Sequence, residues 1–146
     1  MRRARGFTLL EVVVVLALGV TIYAVLLAIP FGKASAADLK AAARQVAAEL
    51  RTAQSTAMAT RRDALLTLDM ETREMITTGE REPRRLPSNI DLKLYTAQTE
   101  VANEHRGSIR FYPDGSSTGG RVTVLSGERK YLVDVDWLTG RVAINE

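Results

Sequence analysis

The sequence predicts an α+β fold in which a long N-terminal helix packs on an antiparallel, β-rich C-terminal domain. Three observations predict it. An apolar run follows the basic start Arg2, Arg3 and Arg5 and continues to Phe31 with Glu11 as its only ionised side chain. A helical period then carries the chain to about residue 60, and from Ala64 onward apolar residues recur at every second position.

The first element is the apolar run. Residues 7–31 are long enough to cross a bilayer, which needs about 20 apolar residues. A carboxylate in such a segment costs about 2.5–3.5 kcal/mol on insertion scales, so Glu11 asks for a partner or a function. A cut between Gly6 and Phe7 would create an α-amino group at the same end of the run. Within one helix this amine and Glu11 lie about one turn apart, and a neighbouring copy displaced along the axis could present its amine equally well. Both pairings remain open on spacing alone. The rival readings are a chance glycine at a helix start and a carboxyl that is protonated or reaches the headgroups without a partner.

The residues Gly6-Phe7-Thr8-Leu9-Leu10-Glu11 resemble the N-terminal motif of the type IV prepilin-like family. The resemblance implies that Gly6 precedes the bond cut by a prepilin peptidase and that Phe7 becomes the mature, N-methylated terminus. It also implies that Glu11 serves filament assembly. A residue without a side chain suits close approach of a peptidase to the backbone. Methylation keeps the positive charge of the amine, so a pairing with Glu11 survives it.

Three arginines before the run and only Lys33 close behind it place the N-terminus in the cytoplasm and the C-terminal domain on the far side. The resemblance implies that this is a single pass through the inner membrane with the domain in the periplasm. An ordinary signal peptide is the alternative, because Ala34-Ser35-Ala36 reads as a small-residue cleavage site. Its apolar region is about 7–15 residues, shorter than this one, and it gives Glu11 no role. Loss of Arg2, Arg3 and Arg5 from 20 basic residues leaves 17, against 17 acidic residues. A formally neutral mature chain argues against a nucleic-acid partner held by net charge. There is no cysteine, which excludes disulfides and thiolate metal sites.

The next element is an amphipathic helix. Leu39, Ala43, Val46, Leu50, Ala53 and Ala57 recur at alternating spacings of four and three, with Lys40, Arg44, Arg51 and Ser55 on another face. Pro30 and Gly32 interrupt the junction with the apolar run, and Ser35 with Asp38 reads as a capping box, so a kink or break is expected between Pro30 and Ser35. If the two segments otherwise form one helix, its length is about 80 Å.

Strands follow. Leu66, Leu68 and Met70 alternate with Leu65, Thr67 and Asp69, and a turn near Glu71-Thr72 returns through Met75 and Ile76 as a hairpin. Residues 78–89, with Gly79, Pro83 and Pro87 among charges, read as a loop. Ile90, Leu92 and Leu94 alternate as a strand, residues 98–106 read as a polar connection, and Ile109 and Phe111 open a last sheet section. Val122 and Val124, then Tyr131, Val133 and Val135, then Val142 and Ile144 mark three further strands, with turns at Ser126-Gly127-Glu128 and Leu138-Thr139-Gly140.

Two C-terminal segments, Phe111-Tyr112-Pro113-Asp114-Gly115-Ser116-Ser117-Thr118-Gly119-Gly120 and Val135-Asp136-Trp137-Leu138-Thr139-Gly140-Arg141-Val142, resemble the H-type minor pseudopilins of type II secretion and their type IV pilus relatives. The expected organisation is a leader (1–6), a transmembrane assembly helix (7–31), an amphipathic continuation (32–60) and a periplasmic β-rich domain (61–146). The resemblance implies a place near the tip of a short filament that supports protein export. Its expected partners are the prepilin peptidase, major and minor pseudopilins, the inner membrane and secreted cargo. A type IV pilus minor pilin, active in pilus assembly or DNA uptake, is the alternative. The C-terminal residues 140–146 hold one arginine and end in an acid, which disfavours DNA.

Nothing in the chain reads as a catalytic set. The loop 113–120 lacks the Gly-Lys-Ser/Thr ending of a phosphate loop and the spaced carboxylates of a calcium loop, so a solvated connection is expected. His105 sits in a polar stretch and reads as a surface residue, and Asp134 and Asp136 alternate with Val133 and Val135 as the solvent face of a strand. Trp137 is expected to anchor the end of that strand in the core, with an exposed indole at an interface as the alternative. No metal, cofactor or enzymatic activity is expected.

Overall fold

The computed structural model describes residues 8–28 and 34–146. The chain divides into two compact units, residues 1–32 and 33–146. In the first unit, helix α1 spans Leu9–Ala28. Its described side chains, from Leu9 to Ala24, are exposed on every face, including Leu10, Val13, Leu16 and Val20. A helix that is apolar all round belongs in a protein core or a membrane. Counted over the described side chains, which in α1 end at Ala24, no helix is long and apolar enough to cross a membrane.

The second unit opens with helix α2, Ala36–Thr60. Ser35 and Asp38 form the expected capping box: the Asp38 amide donates to Ser35 Oγ at 3.1 Å and the Ser35 amide donates to Asp38 Oδ2 at 3.2 Å. Two of the free donors of the first turn are thereby satisfied. Ala34 and Ser35 lie outside any helix, as the break requires, whereas Pro30 and Gly32 fall outside the described residues. Arg61 ends α2 in the left-handed conformation, φ 54°. All six residues of the predicted apolar stripe are buried, and Lys40, Arg44, Arg51 and Ser55 are exposed.

Nine strands follow, and every pairing is antiparallel. They are β1 (Ala64–Asp69), β2 (Glu74–Thr77), β3 (Arg84–Arg85), β4 (Asp91–Thr96), β5 (Val101–Asn103), β6 (Arg106–Phe111), β7 (Gly120–Ser126), β8 (Arg129–Val135) and β9 (Val142–Asn145). One sheet has the order β3-β2-β1-β6-β5 and the other β4-β7-β8-β9. Helix α2 lies against both, touching β1, β2 and β6 of the first and β7, β8 and β9 of the second. Leu39, Val46 and Leu50 thus meet Leu66, Leu68, Ile109, Phe111, Val122, Val124 and Val133 in one core.

Three predicted connections are more ordered than the sequence suggested. The loop 78–89 contains β3, and the polar connection 98–106 contains a short 3-10 turn and β5. Neither piece carries an apolar alternation: Arg84 and Arg85 are exposed, as are all three residues of β5. The segment 113–120 is packed rather than solvated, with Gly115, Ser117 and Gly119 buried. Its glycines let the backbone itself approach α2 and the β8–β9 turn, which is why a polar, small-residue composition is compatible with burial here.

Polar groups tie α2 and its approach to the sheets. Gln54 Nε2 donates to the carbonyls of Gly115 (2.9 Å) and Thr139 (3.1 Å), bridging two loops with one amide. Buried Ser126 accepts from the Ala34 amide at 2.8 Å and donates to the Asn89 carbonyl at 2.8 Å. The segment leading into α2 is fixed to β7 by that hydroxyl.

Candidate functional site

Of the three residues singled out at the N-terminus, Glu11 is described, while Gly6 and Phe7 lie outside the described residues. Glu11 sits in the first turn of α1 and is exposed. Its amide donates to Thr8 Oγ1 at 3.2 Å, and the Val12 amide donates to the Thr8 carbonyl at 3.2 Å. Thr8 therefore caps the helix, and Glu11 occupies the position three residues on. Thr8-Leu9-Leu10-Glu11 fits the Ser/Thr-x-x-Glu signature of a helix start, a signal present in the sequence beside the processing motif. A carboxylate in the first turn is favoured by the helix dipole, so the site combines a carboxylate, a helix N-terminus and an apolar shaft. Thr21 satisfies its own hydroxyl locally by donating to the Ala17 carbonyl at 2.8 Å.

In the β domain the structure separates the candidate residues by role. His105 is exposed, as expected. Asp134 lies on the outer face of the four-stranded sheet, where it takes an ion pair from Arg121 Nε and a hydrogen bond from Asn145 Nδ2 at 2.9 Å. The Arg121 hydrogen bond first, and the Asn145 amide after it, hold the Asp134 carboxyl below the usual range. Asp136 follows β8 instead of belonging to it, and it organises the turn to β9. Its Oδ1 accepts from the amides of Thr139 (2.8 Å) and Leu138 (3.1 Å) and from Thr139 Oγ1 (2.8 Å), which lowers its pKa, the Thr139 amide most of all.

Trp137 corrects the expectation of a core anchor. It is 66 % exposed, because buried Val135 closes the inward face of β8 and the chain then turns outward around Asp136. The Trp137 backbone and Cβ pack on Gly119, whose φ of 69° and lack of a side chain make room for them. Tyr95, at the end of β4, is 79 % exposed. Trp137 and Tyr95 line an open groove of about 740 Å³ together with Gly119, Gly120, Arg121 and Arg141. Among the described residues no group of three or more His, Cys, Asp or Glu could hold a metal ion.

Comparison with known proteins places this geometry. Residues 42–139 match the family described as type II transport protein GspH, and residues 1–29 match the prokaryotic N-terminal methylation motif. The chain is 32% identical over 142 residues to the type II secretion system protein H of Xanthomonas campestris pv. campestris, a match that covers 97% of this chain and 83% of the relative. Among solved structures, the minor pseudopilin EpsH of the Vibrio cholerae type 2 secretion system superposes with a TM-score of 0.56 at 13% identity, covering 74% of this chain and 96% of EpsH. The type IV minor pilin FimU of Pseudomonas aeruginosa superposes with a TM-score of 0.53 at 15% identity, covering 73% of this chain and 92% of FimU. These two likenesses show the type IV pilin-like fold. Matched by the family over more than half of its length and by a relative over nearly all of it, the chain belongs to the GspH family of type II transport proteins.

Proposed function

We propose that this chain is a minor pseudopilin that enters a type II secretion pseudopilus through its N-terminal helix and supports protein export. The observation that carries this reading is a capped, apolar helix with one carboxylate in its first turn, joined in one chain to a separate GspH-type domain. The family implies anchoring in the inner membrane by that helix. The leader would be residues 1–6, the assembly helix 7–31, its continuation 32–60 and the periplasmic domain 61–146, with the N-terminus in the cytoplasm. Prepilin peptidase would cut after Gly6 and methylate Phe7, and major and minor pseudopilins would be the neighbours in the filament.

The proposed mechanism is structural. Side chains such as Val12, Val15 and Leu16 exchange lipid for the helices of other subunits, and Glu11 gains the Phe7 amine of an adjacent copy as counter-charge. A position near the tip would direct the β domain to other minor pseudopilins and to cargo. The type IV pilus alternative draws support from the FimU likeness at the level of fold only. The test is mass spectrometry of the chain recovered from assembled filaments. A methylated Phe7 at the first position is expected, whereas retention of Met1, or a start at Ala37, overturns the reading.

A further inference from the structure

The two sheets treat their charges differently. On the five-stranded sheet Asp69 pairs with Arg106 at 3.2 Å, Glu74 with Arg85, and Arg110 with both Glu100 (2.9 Å) and Asp63 (3.3 Å). Its outer face is electrostatically self-contained. On the four-stranded sheet two aspartates are committed but two lysines are not. Asp134 is held by Arg121 and Asn145, and Asp91 is paired with Arg73 at 3.5 Å. Lys93 and Lys130 are exposed and have no ion-pair partner among the described residues, whereas the Arg141 charge acts on Asp136.

The register places these cations among apolar side chains. On the outer face, Asp91, Leu125 and Lys130 form one cross-strand row, Lys93, Thr123, Leu132 and Asn145 the next, and Tyr95, Arg121, Asp134 and Ala143 a third. Trp137 and Arg141 line one groove with the residues of the third row. Trp, Tyr and Arg are the residue types that dominate binding energy at protein interfaces. Here the two most exposed aromatic side chains of the β domain share a groove with a guanidinium that is already oriented by Asp134. An oriented guanidinium loses little entropy on binding.

We propose that the outer face of the β4-β7-β8-β9 sheet is a docking surface for an acidic, apolar-bearing segment of another protein. The segment's carboxylates would pair with Lys93 and Lys130, and its apolar side chains would cover Tyr95, Leu132 and Trp137. The choice of a protein segment over a polyphosphate rests on charge pattern. Asp91, Asp134 and Asp136 are interspersed among the cations, so a continuous line of phosphates meets repulsion at regular intervals while discretely spaced carboxylates do not. This inference stands independently of the export reading.

Trp137 is the only tryptophan in the chain, so its emission reports on this face alone. The experiment titrates the full-length protein, in zwitterionic detergent micelles, with a short synthetic peptide alternating aspartate and leucine. Parallel titrations use a lysine–leucine peptide of the same length and an oligothymidylate of the same charge. A saturable blue shift with the acidic peptide, weakened by salt, is expected. It should weaken about tenfold in the variant Lys93→Glu/Lys130→Glu and stay unchanged in Arg62→Glu/Arg81→Glu, which reverses two cations elsewhere. Both variants should keep the parent Tm, because none of the four side chains has an ion-pair partner among the described residues. No shift with the acidic peptide, an undiminished shift in Lys93→Glu/Lys130→Glu, or an equal response to either control ligand overturns the proposal. An equal response to oligothymidylate would reassign the face to nucleic acid.

Discussion

Arg84 Nε lies 2.8 Å from Glu49 Oε1, and Glu49 is only 5 % exposed on the sheet-facing side of α2. Thr77 Oγ1 donates to the other carboxylate oxygen at 3.2 Å. The short strand β3 is thus held to the helix by an ion pair whose acidic member is inside the protein. Arg84→Ala leaves that carboxylate short of its charged partner and is expected to cost about 1–3 kcal/mol, whereas removing both charges in Glu49→Leu/Arg84→Ala should cost less than the single change. Urea unfolding of the parent, the single and the double variant measures it, and a double variant less stable than Arg84→Ala refutes the account.

That ion pair also marks where sequence reasoning stopped. The stripe Leu39, Ala43, Val46, Leu50, Ala53 and Ala57 was legible because one helix face buries against two sheets and a 3.6-residue period records it. The alternations in β1, β7 and β8 were legible for the same reason at period two. Glu49 lies beside that stripe and carries no such record, since its burial depends on an arginine 35 positions away. Strands β3 and β5 are edges of their sheet without a buried face, so nothing in their composition distinguishes them from loop. Trp137 was misplaced because its parity along β8 predicts an inward ring, but β8 ends at Val135 and Asp136 redirects the chain. Of the N-terminal site, the carboxylate and the motif were legible, and so in retrospect was the Thr8 cap.

Gly140 is held with φ 63° against the Gly115 carbonyl and the Gln54 amide, and a Cβ added there would overlap both. Gly140→Ala therefore meets left-handed strain and displaces the Gln54 bridge together. We expect a loss of at least about 2 kcal/mol, seen as a lower urea midpoint. Gln54→Ala, which removes the bridge without strain, should cost less. Equal losses in the two variants would show that the bridge, and not the backbone conformation, is what matters.

Acid should weaken the β domain through its turns. Asp136 and Asp69 both have carboxyls held below the usual range, each chiefly by a backbone amide, of Thr139 and Thr72 respectively. A folded-state pKa below the unfolded value means stability that is present above about pH 4 and is lost as pH falls through the folded value. The Tm is expected to be level near neutral pH and to fall below about pH 4. Asp136→Asn should show a lower Tm at neutral pH and a shallower acid decline. An acid decline as steep as the parent's would exclude Asp136 as a contributor.

The cap at Thr8 separates two roles that a mutation at Glu11 could otherwise confuse. The bond that starts α1 uses the backbone amide of Glu11, so Glu11→Ala retains it and removes only the carboxylate. Under the proposed pairing, processing after Gly6 should then proceed as in the parent, while incorporation into filaments drops severalfold, because the assembled helix would lack its counter-charge for the Phe7 amine. Thr8→Ser keeps the capping oxygen and should affect neither step, and Thr8→Ala weakens the helix start by about 1 kcal/mol with the charge intact. Quantifying cleaved and filament-bound chain for the three variants decides the matter. Normal incorporation of Glu11→Ala would remove the charge pairing from the mechanism, and a defect shared equally with Thr8→Ala would assign the role to the helix start instead.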